Sequence, residues 1–130
     1  MPDLDLITVL LATVVVFALG AGYYAVLSDQ LAQVSDAAVP AEQPPPWRLV
    51  VEFLRGLILS VVVAGVASRA GVDDWAGGVA LGAALWLGFP LVLWIGAVIH
   101  ENTSWKLAAI HAGDWLLKLL VIGIIVGVWG

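Results

Sequence analysis

Cysteine is absent from the chain, and charged residues make up 12% of it, with 5 Lys and Arg against 10 Asp and Glu. The absence of cysteine excludes disulfides, thiolate chemistry and covalent haem attachment. Because the formal net charge is −5, the chain has no basic patch for nucleic acid or for anionic lipid head groups. The sequence therefore predicts no nucleic-acid partner and no bound cofactor.

Motifs typical of enzymes are also missing. The sequence has no HExxH spacing, no P-loop, no dinucleotide-binding fingerprint and no serine nucleophile elbow. The segments GAGYY and AGGVALG are rich in glycine, but they lie within long apolar runs, where helix packing explains them better than phosphate binding. We therefore predict no catalytic residue and no metal site.

Apolar sequence is what the chain has in excess, because 62% of its residues are hydrophobic. Four runs approach the roughly 20 residues that a helix needs to cross a bilayer. Continuous apolar runs exclude the alternating pattern of membrane barrel strands. The sequence predicts an all-α protein, an integral membrane four-helix bundle that forms one domain over residues 1–130. The predicted helices cover about 4–27, 49–68, 75–99 and 105–129, with a Pro-rich loop at 35–47.

Small residues recur at four-residue spacing within these runs, which lets two helix backbones approach closely. The same spacing is compatible with a homodimer. A proline inside the third helix, Pro90, predicts a kink or a free carbonyl at Trp86. The predicted packing residues are Ala18, Gly22, Gly78, Gly82, Gly123 and Gly127.

Ionisable residues lie deep in the last helix, although it is long enough to cross a bilayer. His111, Asp114 and Lys118 fall within about one sixth of the helix circumference at roughly 100° per residue. Charged groups in a bilayer are costly, so this face needs protein or a water-filled cavity beside it. Polar residues of the other helices approach from the same side of the membrane. The candidate polar site comprises Tyr23, Tyr24, Glu52, Arg55, His100, Glu101, His111, Asp114 and Lys118.

Two interpretations of this site stay open. Four charged residues of the candidate polar site lie within the predicted spans, and their charges cancel. This balance is compatible with a structural network that fixes helix register. His111 is then the adjustable member, and a proton- or ligand-binding site is the functional alternative. Lys118 has the further option of reaching toward the opposite membrane surface. Tyr23 and Tyr24 have the option of anchoring the first helix at the interface.

A long C-terminal stretch, from Gly88-Phe89 to Trp129, resembles a known family. Its features are a polar turn at Glu101-Asn102, the pair Trp105-Lys106 and the run Ile110-His111-Ala112-Gly113. The stretch resembles small bacterial membrane proteins grouped as Domain of Unknown Function 1761. The first helix ends GAGYYAVL, similar to that family's Gly-x-x-Trp-Tyr ending, with Tyr23 in place of the Trp. The resemblance implies a four-helix protein of the bacterial inner membrane and brings no activity.

Three functions are compatible with these features. The first is a non-enzymatic membrane protein whose polar network holds the bundle and has a binding or regulatory role, with a ligand that the sequence does not identify. The second is a small proton-coupled transporter or carrier that uses Asp114 and His111. The third is an enzyme that acts on a lipid-like substrate. A transporter predicts a water path to Asp114, an enzyme predicts a lipid groove beside His111 and His100, and a structural network predicts full pairing.

Basic residues are slightly more frequent on one side of the predicted membrane. Arg48 and Lys106 flank that side and Arg55 lies near it, whereas Arg69 flanks the other. The positive-inside tendency then predicts that this side is cytoplasmic. We therefore expect a multi-pass protein of the cell inner membrane, surrounded by lipid, with both termini periplasmic.

Overall fold

The computed structural model describes residues 5–32 and 46–129, and these residues form helices and no strands. Four segments are long and apolar enough to cross a membrane, and the third of them consists of two helices. This result confirms the all-α, four-helix membrane architecture. The helices are α1 Leu6–Val26, α2 Ser28–Ala32, α3 Pro46–Ala70, α4 Trp75–Gly88, α5 Pro90–His100 and α6 Trp105–Trp129.

Local capping determines where the first two spans begin. The carboxylate of Asp5 accepts the backbone N–H of Ile7 at 3.1 Å, and its hydrogen bond from the Thr8 hydroxyl holds the pKa of Asp5 below its usual range. Helix α3 begins at Pro46, within the stretch predicted as loop, because the fixed φ of proline suits the first turn of a helix. Residues 35–45 of that predicted loop lie outside the described residues.

Pro90 divides the third span into α4 and α5. Phe89 leaves helical geometry at φ −123 and ψ −77, and Pro90 takes the first position of α5. The N–H of Phe89 still donates to the Leu85 carbonyl at 3.0 Å, and the N–H of Leu93 donates to the Phe89 carbonyl at 2.9 Å. The interruption is therefore less than one turn long, as expected when proline removes one donor from a helix.

Helix α6 lies at the centre of the bundle and packs against α1, α3, α4 and α5. Helix α3 packs on α1, but it makes at most marginal contact with α4 and α5. A groove therefore remains between α3 and the bent α4–α5 span, with α6 as its floor. The apolar core is built from Val9, Ala12, Val16, Val63, Ala64, Ala67, Leu119, Ile122, Ile125 and Val126.

Glycines bring α4 into backbone contact with α6. A Cβ atom on Gly78 would overlap the carbonyl of Gly123, and a Cβ on Gly123 would overlap the carbonyl of Gly78. A Cβ on Gly82 would overlap the α6 backbone one turn further along, and Gly127 lies against the carbonyl of Asp74. These four glycines are thus used for packing within the chain, so they do not supply an interface between two copies.

The structure does not bring a neighbour to the small pair of α1. Ala18 and Gly22 are exposed, and among the described residues no atom outside the adjoining part of α1 lies within 4 Å of the position that a Cβ on Gly22 would take. Helix α1 turns a different face to the bundle, so the close packing predicted at this pair is absent among the described residues. The buried face of α1 consists of Thr8, Val9, Ala12, Thr13 and Val16.

Two ends of the bundle can be distinguished. The Thr8 hydroxyl lies 3.1 Å from the carbonyl oxygen of Trp129, which places the start of α1 beside the end of α6. The turn between α3 and α4 lies at this same end, because Asp74 contacts Gly127. We call this the terminal end, and we call the opposite end, with the start of α3 and the turn between α5 and α6, the loop end.

Candidate functional site

Charged side chains of α3 and α6 form one continuous series. The ammonium Nζ of Lys118 lies 2.9 Å from Asp114 Oδ2 and 3.5 Å from Glu52 Oε1. The other carboxylate oxygen of Glu52 accepts a hydrogen bond from Arg55 at 2.8 Å. The signs of the four charges alternate along the series and cancel, so it joins two helices without a net charge.

Helix α1 enters the series through a tyrosine. The Tyr24 hydroxyl lies 2.8 Å from Nδ1 of His111 and 3.3 Å from Oδ2 of Asp114. On its other side the His111 ring stacks on Trp94 of α5, with ring centroids 5.0 Å apart and planes inclined by 18°. We call the six polar residues of this assembly the polar network: Tyr24, Glu52, Arg55, His111, Asp114 and Lys118.

The polar network runs from the interior of the bundle to its surface. Asp114 and Lys118 are 3% and 8% exposed, whereas the side chains of Arg55 and Glu52 are 58% and 42% exposed. Ion pairs are strongest where water is excluded, and removing one buried partner leaves the other charge uncompensated. The Asp114–Lys118 pair is therefore the anchor of the network, and Glu52 with Arg55 forms its accessible edge.

Helical spacing explains why these pairs form. Asp114 and Lys118 are one turn apart with the acid first, which is the favourable order, and Glu52 and Arg55 are also one turn apart. The ammonium of Lys118 lies 5.7 Å from the ring centroid of Trp115, close enough for a cation–π interaction. Lys118 bonds to a residue one turn nearer the loop end, so it does not reach toward the terminal end.

Two aromatic side chains donate hydrogen bonds to the backbone of α6 beside the network. The Tyr23 hydroxyl donates to the carbonyl of Ile110 at 2.6 Å, and the Trp86 indole donates to the carbonyl of Ala112 at 2.8 Å. Space for Tyr23 exists because Gly113 has no side chain, and a Cβ there would overlap the hydroxyl. These bonds hold the turn of α6 that carries His111 between α1 and α4.

Most of the residues proposed from the sequence lie together, but two do not. Tyr23, Tyr24, Glu52, Arg55, His111, Asp114 and Lys118 meet as described above. His100 and Glu101 are exposed at the end of α5 and in the turn that follows it, and no ion pair among the described residues joins them to the network. They lie at the loop end because α5 ends at His100, before the chain enters the membrane again.

The structure adds three tryptophans to the candidate polar site that was predicted from the sequence. Trp86, Trp94 and Trp115 contact the network or the α6 backbone next to it. A sequence signal for Trp86 does exist, because an indole N–H in the middle of an apolar span needs an acceptor. The sequence does not show which acceptor it finds, since that depends on how α4 crosses α6.

One oxygen of the network keeps spare capacity. Asp114 Oδ1 is buried and has no hydrogen-bond partner among residues 5–32 and 46–129. Within the same residues, no group of three or more His, Cys, Asp or Glu side chains could hold a metal ion. The Oδ1 oxygen can therefore accept a further hydrogen bond.

Comparison with known proteins places the chain in one family. The family model described as "Protein of unknown function (DUF1761)" matches residues 7–127, nearly the whole chain. No curated protein matches the chain, and no solved structure does. The match contains all six residues of the polar network, so the network lies within the region that the family model describes.

Proposed function

The chain belongs to the DUF1761 family, as its sequence resemblance predicts, and we propose that it is a non-enzymatic membrane protein whose polar network binds and releases a proton. One observation carries this proposal. The Tyr24 hydroxyl lies within hydrogen-bond distance of both His111 Nδ1 and Asp114 Oδ2. The network therefore links a titratable imidazole to a buried carboxylate through a hydroxyl group that can hydrogen-bond to either one.

The Tyr24 hydroxyl has a single hydrogen, so it donates to one of these two partners at a time. When His111 is neutral, Tyr24 donates to Nδ1 and the ring proton resides on Nε2. When His111 gains a proton, Nδ1–H donates to the Tyr24 oxygen, and the Tyr24 hydrogen turns to Asp114. The positive charge on the ring is then connected to a negative charge through one hydroxyl.

A proton added to His111 changes the net charge of the polar network. Helix α1 faces the ring with Tyr24, and α5 faces it with the uncharged ring of Trp94. The charges on α3 and α6 already cancel, so a proton on His111 leaves the network with a net positive charge. We infer that the protonation state of His111 regulates how firmly α1 is held against α6. The charged groups that act on the ring are Asp114, Lys118 and Arg55, and Glu52 is ion-paired with both of these cations.

The proposal predicts that protonation of His111 changes the hydrogen bonding of Asp114. The protein in nanodiscs, labelled with nitrogen-15 histidine, would be titrated by NMR while infrared difference spectra follow the carboxylate stretch of Asp114. We expect both signals to change with the same midpoint. His100 is exposed and serves as the internal reference. Tyr24→Phe should uncouple the two signals, whereas Tyr23→Phe, which loses a bond to the backbone, should leave them coupled.

A His111 ring that stays neutral down to pH 5, or that titrates while Asp114 does not respond, would refute the proposal. A small proton-coupled carrier is the second candidate, and the buried, unpartnered Oδ1 of Asp114 favours it. Net proton movement across proteoliposomes that disappears in Asp114→Asn would support the carrier. Tight coupling of His111 and Asp114 without net proton movement would support the regulatory role.

We further propose that the protein lies in a bacterial inner membrane with its loop end in the cytoplasm. Arg48 and Lys106 flank the loop end, which supports this orientation under the positive-inside tendency. Cysteines introduced at Asp3 and Gln43 should then react with a membrane-impermeant thiol reagent from opposite faces, with Asp3 periplasmic. Labelling of Asp3→Cys from the cytoplasm alone would reverse the orientation. Self-association stays a prediction, and the exposed pair Ala18 and Gly22 is available for it.

A further inference from the structure

The groove between α3 and the α4–α5 span has a volume of about 590 Å³. Its walls are apolar throughout, and its floor is the α6 surface formed by Trp115 and Leu119. Phe89 and Pro90, where α4 gives way to α5, form part of one wall, so the groove lies beside the interruption of the third span. A volume of this size lies in the range of pockets that bind small molecules.

A second cavity of about 290 Å³ continues the groove toward the loop end and ends at charged groups. The two cavities share Leu59, Val62 and Trp115 in their linings. The second is also lined by Arg55, Glu52 and Lys118. Together they form a channel along the protein surface with an apolar tail region and a charged head region.

Arg55 has unused hydrogen-bonding capacity in that head region. A guanidinium group has five N–H donors in a planar fork, and within the described residues Glu52 is the hydrogen-bond partner of Arg55. The fork matches the two oxygens of a carboxylate. Lys118, by contrast, is buried and held by two carboxylates, so Arg55 is the cation that an incoming anion can reach.

We propose that this channel binds a long-chain carboxylic acid, with its hydrocarbon chain in the groove and its carboxylate on Arg55. The acid can enter the membrane in its neutral form. The total charge of the polar network and the bound acid together is then the same whether the proton remains on the acid or passes to Glu52. The proposal does not depend on the protonation of His111, which lies outside the lining of both cavities.

The depth of Arg55 favours a fatty acid over a phospholipid of the bilayer. Helix α3 begins at Pro46, so Arg55 lies roughly 13 Å along the helix at about 1.5 Å per residue. With the 25-residue helix α3 centred on a hydrocarbon core about 30 Å thick, Arg55 lies on the loop-end side of the midplane and below the level of the phosphate groups. A bulky phosphate head group would have to leave the interface to reach it, whereas a carboxyl group is small and can be neutral. The exposed helix faces beside the groove are apolar, so these faces of a second copy would offer no counter-charge to the head region. The charged head region therefore argues against a second copy of this chain as the occupant.

The test uses the full protein in phosphatidylcholine nanodiscs and a palmitic acid probe that carries a diazirine near the end of its chain. After photolysis, mass spectrometry measures the labelled fraction and the labelled residues. We expect saturable labelling at groove residues such as Val62 and Leu119. The methyl ester of the same probe should label the wild-type protein about tenfold less or weaker still, since it lacks the charge that Arg55 recognises.

Variants test both regions of the channel. Arg55→Gln should reduce labelling about tenfold, whereas Arg48→Gln, which changes an arginine outside both linings, should not. Gly88 lines the groove, and open space surrounds the position of its Cβ, so Gly88→Phe should block the hydrocarbon chain. Gly96 also has open space at its Cβ but lies outside the groove lining, so Gly96→Phe is the matched control.

Equal labelling by the acid and its methyl ester would overturn the proposal, and this comparison is made on the wild-type protein. Labelling that persists in Gly88→Phe would show that the chain does not occupy the groove. A phosphatidic acid photoprobe that labels the groove as strongly as palmitic acid would assign the site to a membrane phospholipid instead. Failure of the probe to label the groove, together with a dimer in the nanodiscs that Gly88→Phe removes, would assign the groove to a second copy of the chain.

Discussion

Asp114→Asn is expected to lower the free energy of unfolding by roughly 3 kcal/mol, the lower part of the range for breaking a buried ion pair. The substitution leaves the buried ammonium of Lys118 without its partner at 2.9 Å. Glu52 remains 3.5 Å from that ammonium, which limits the loss. The change also removes the charged acceptor of Tyr24. Equilibrium unfolding in detergent by added SDS would measure the difference from the wild-type protein.

Two further variants separate a broken pair from a general defect. Asp114→Asn combined with Lys118→Met removes both charges, and it should recover much of the lost stability because no uncompensated ion remains. Glu101→Gln removes an exposed carboxylate in the turn after α5 and should change stability by less than about 0.5 kcal/mol. A double variant that is no more stable than Asp114→Asn alone would show that the pair does not anchor the network.

Gly78→Leu and Gly123→Leu should each destabilise the bundle by about 3 kcal/mol or more, at or beyond the upper end of ordinary overpacking. A Cβ at either position overlaps the backbone of the facing helix. Backbone atoms cannot move aside as a flexible side chain can, so α4 and α6 must separate. The same SDS titration would measure the loss, and the thermal stability of the purified protein in detergent would provide a second measure.

The controls for this prediction are two other glycines in long helices. At Gly22 of α1 and Gly65 of α3, no atom of another described helix lies within 4 Å of the position that a Cβ would take. Gly22→Leu and Gly65→Leu should therefore be neutral or slightly stabilising, since leucine has a higher helix propensity than glycine. Comparable losses in all four variants would show that helix–helix contact at Gly78 and Gly123 is not the cause.

Much of the candidate site could be predicted because helical periodicity and depth are both set by sequence position. Asp114 and Lys118 share a face of α6 whatever the neighbouring helices do, and Glu52 and Arg55 lie on a helix that enters from the same end. A buried charge needs a partner, so each charged residue of these two pairs had few alternative partners. The detailed contact at Tyr24 depends on how α1 crosses α6, which sequence spacing does not determine.

The packing of α1 could not be predicted for a different reason. Nearly every face of this helix is apolar, so no stripe distinguishes the side that meets protein from the side that meets lipid. The pair Ala18 and Gly22 has the right spacing for close packing and yet is exposed. The glycines at 78 and 123 have a partner because both helices carry small residues at the same depth. Spacing alone therefore cannot distinguish a contact within the chain from a contact between copies.

The central position of α6 has a consequence for how the protein is made. Helix α6 leaves the ribosome after α1, α3, α4 and α5, and yet it contacts all four of them. The Thr8–Trp129 hydrogen bond joins residues 121 positions apart. Contacts of such long range close slowly, and a nascent chain that ends before α6 has no floor for its groove and no partner for the glycines of α4. We therefore expect the first three spans to remain largely unassembled in the membrane until α6 has been synthesised and can pack against them.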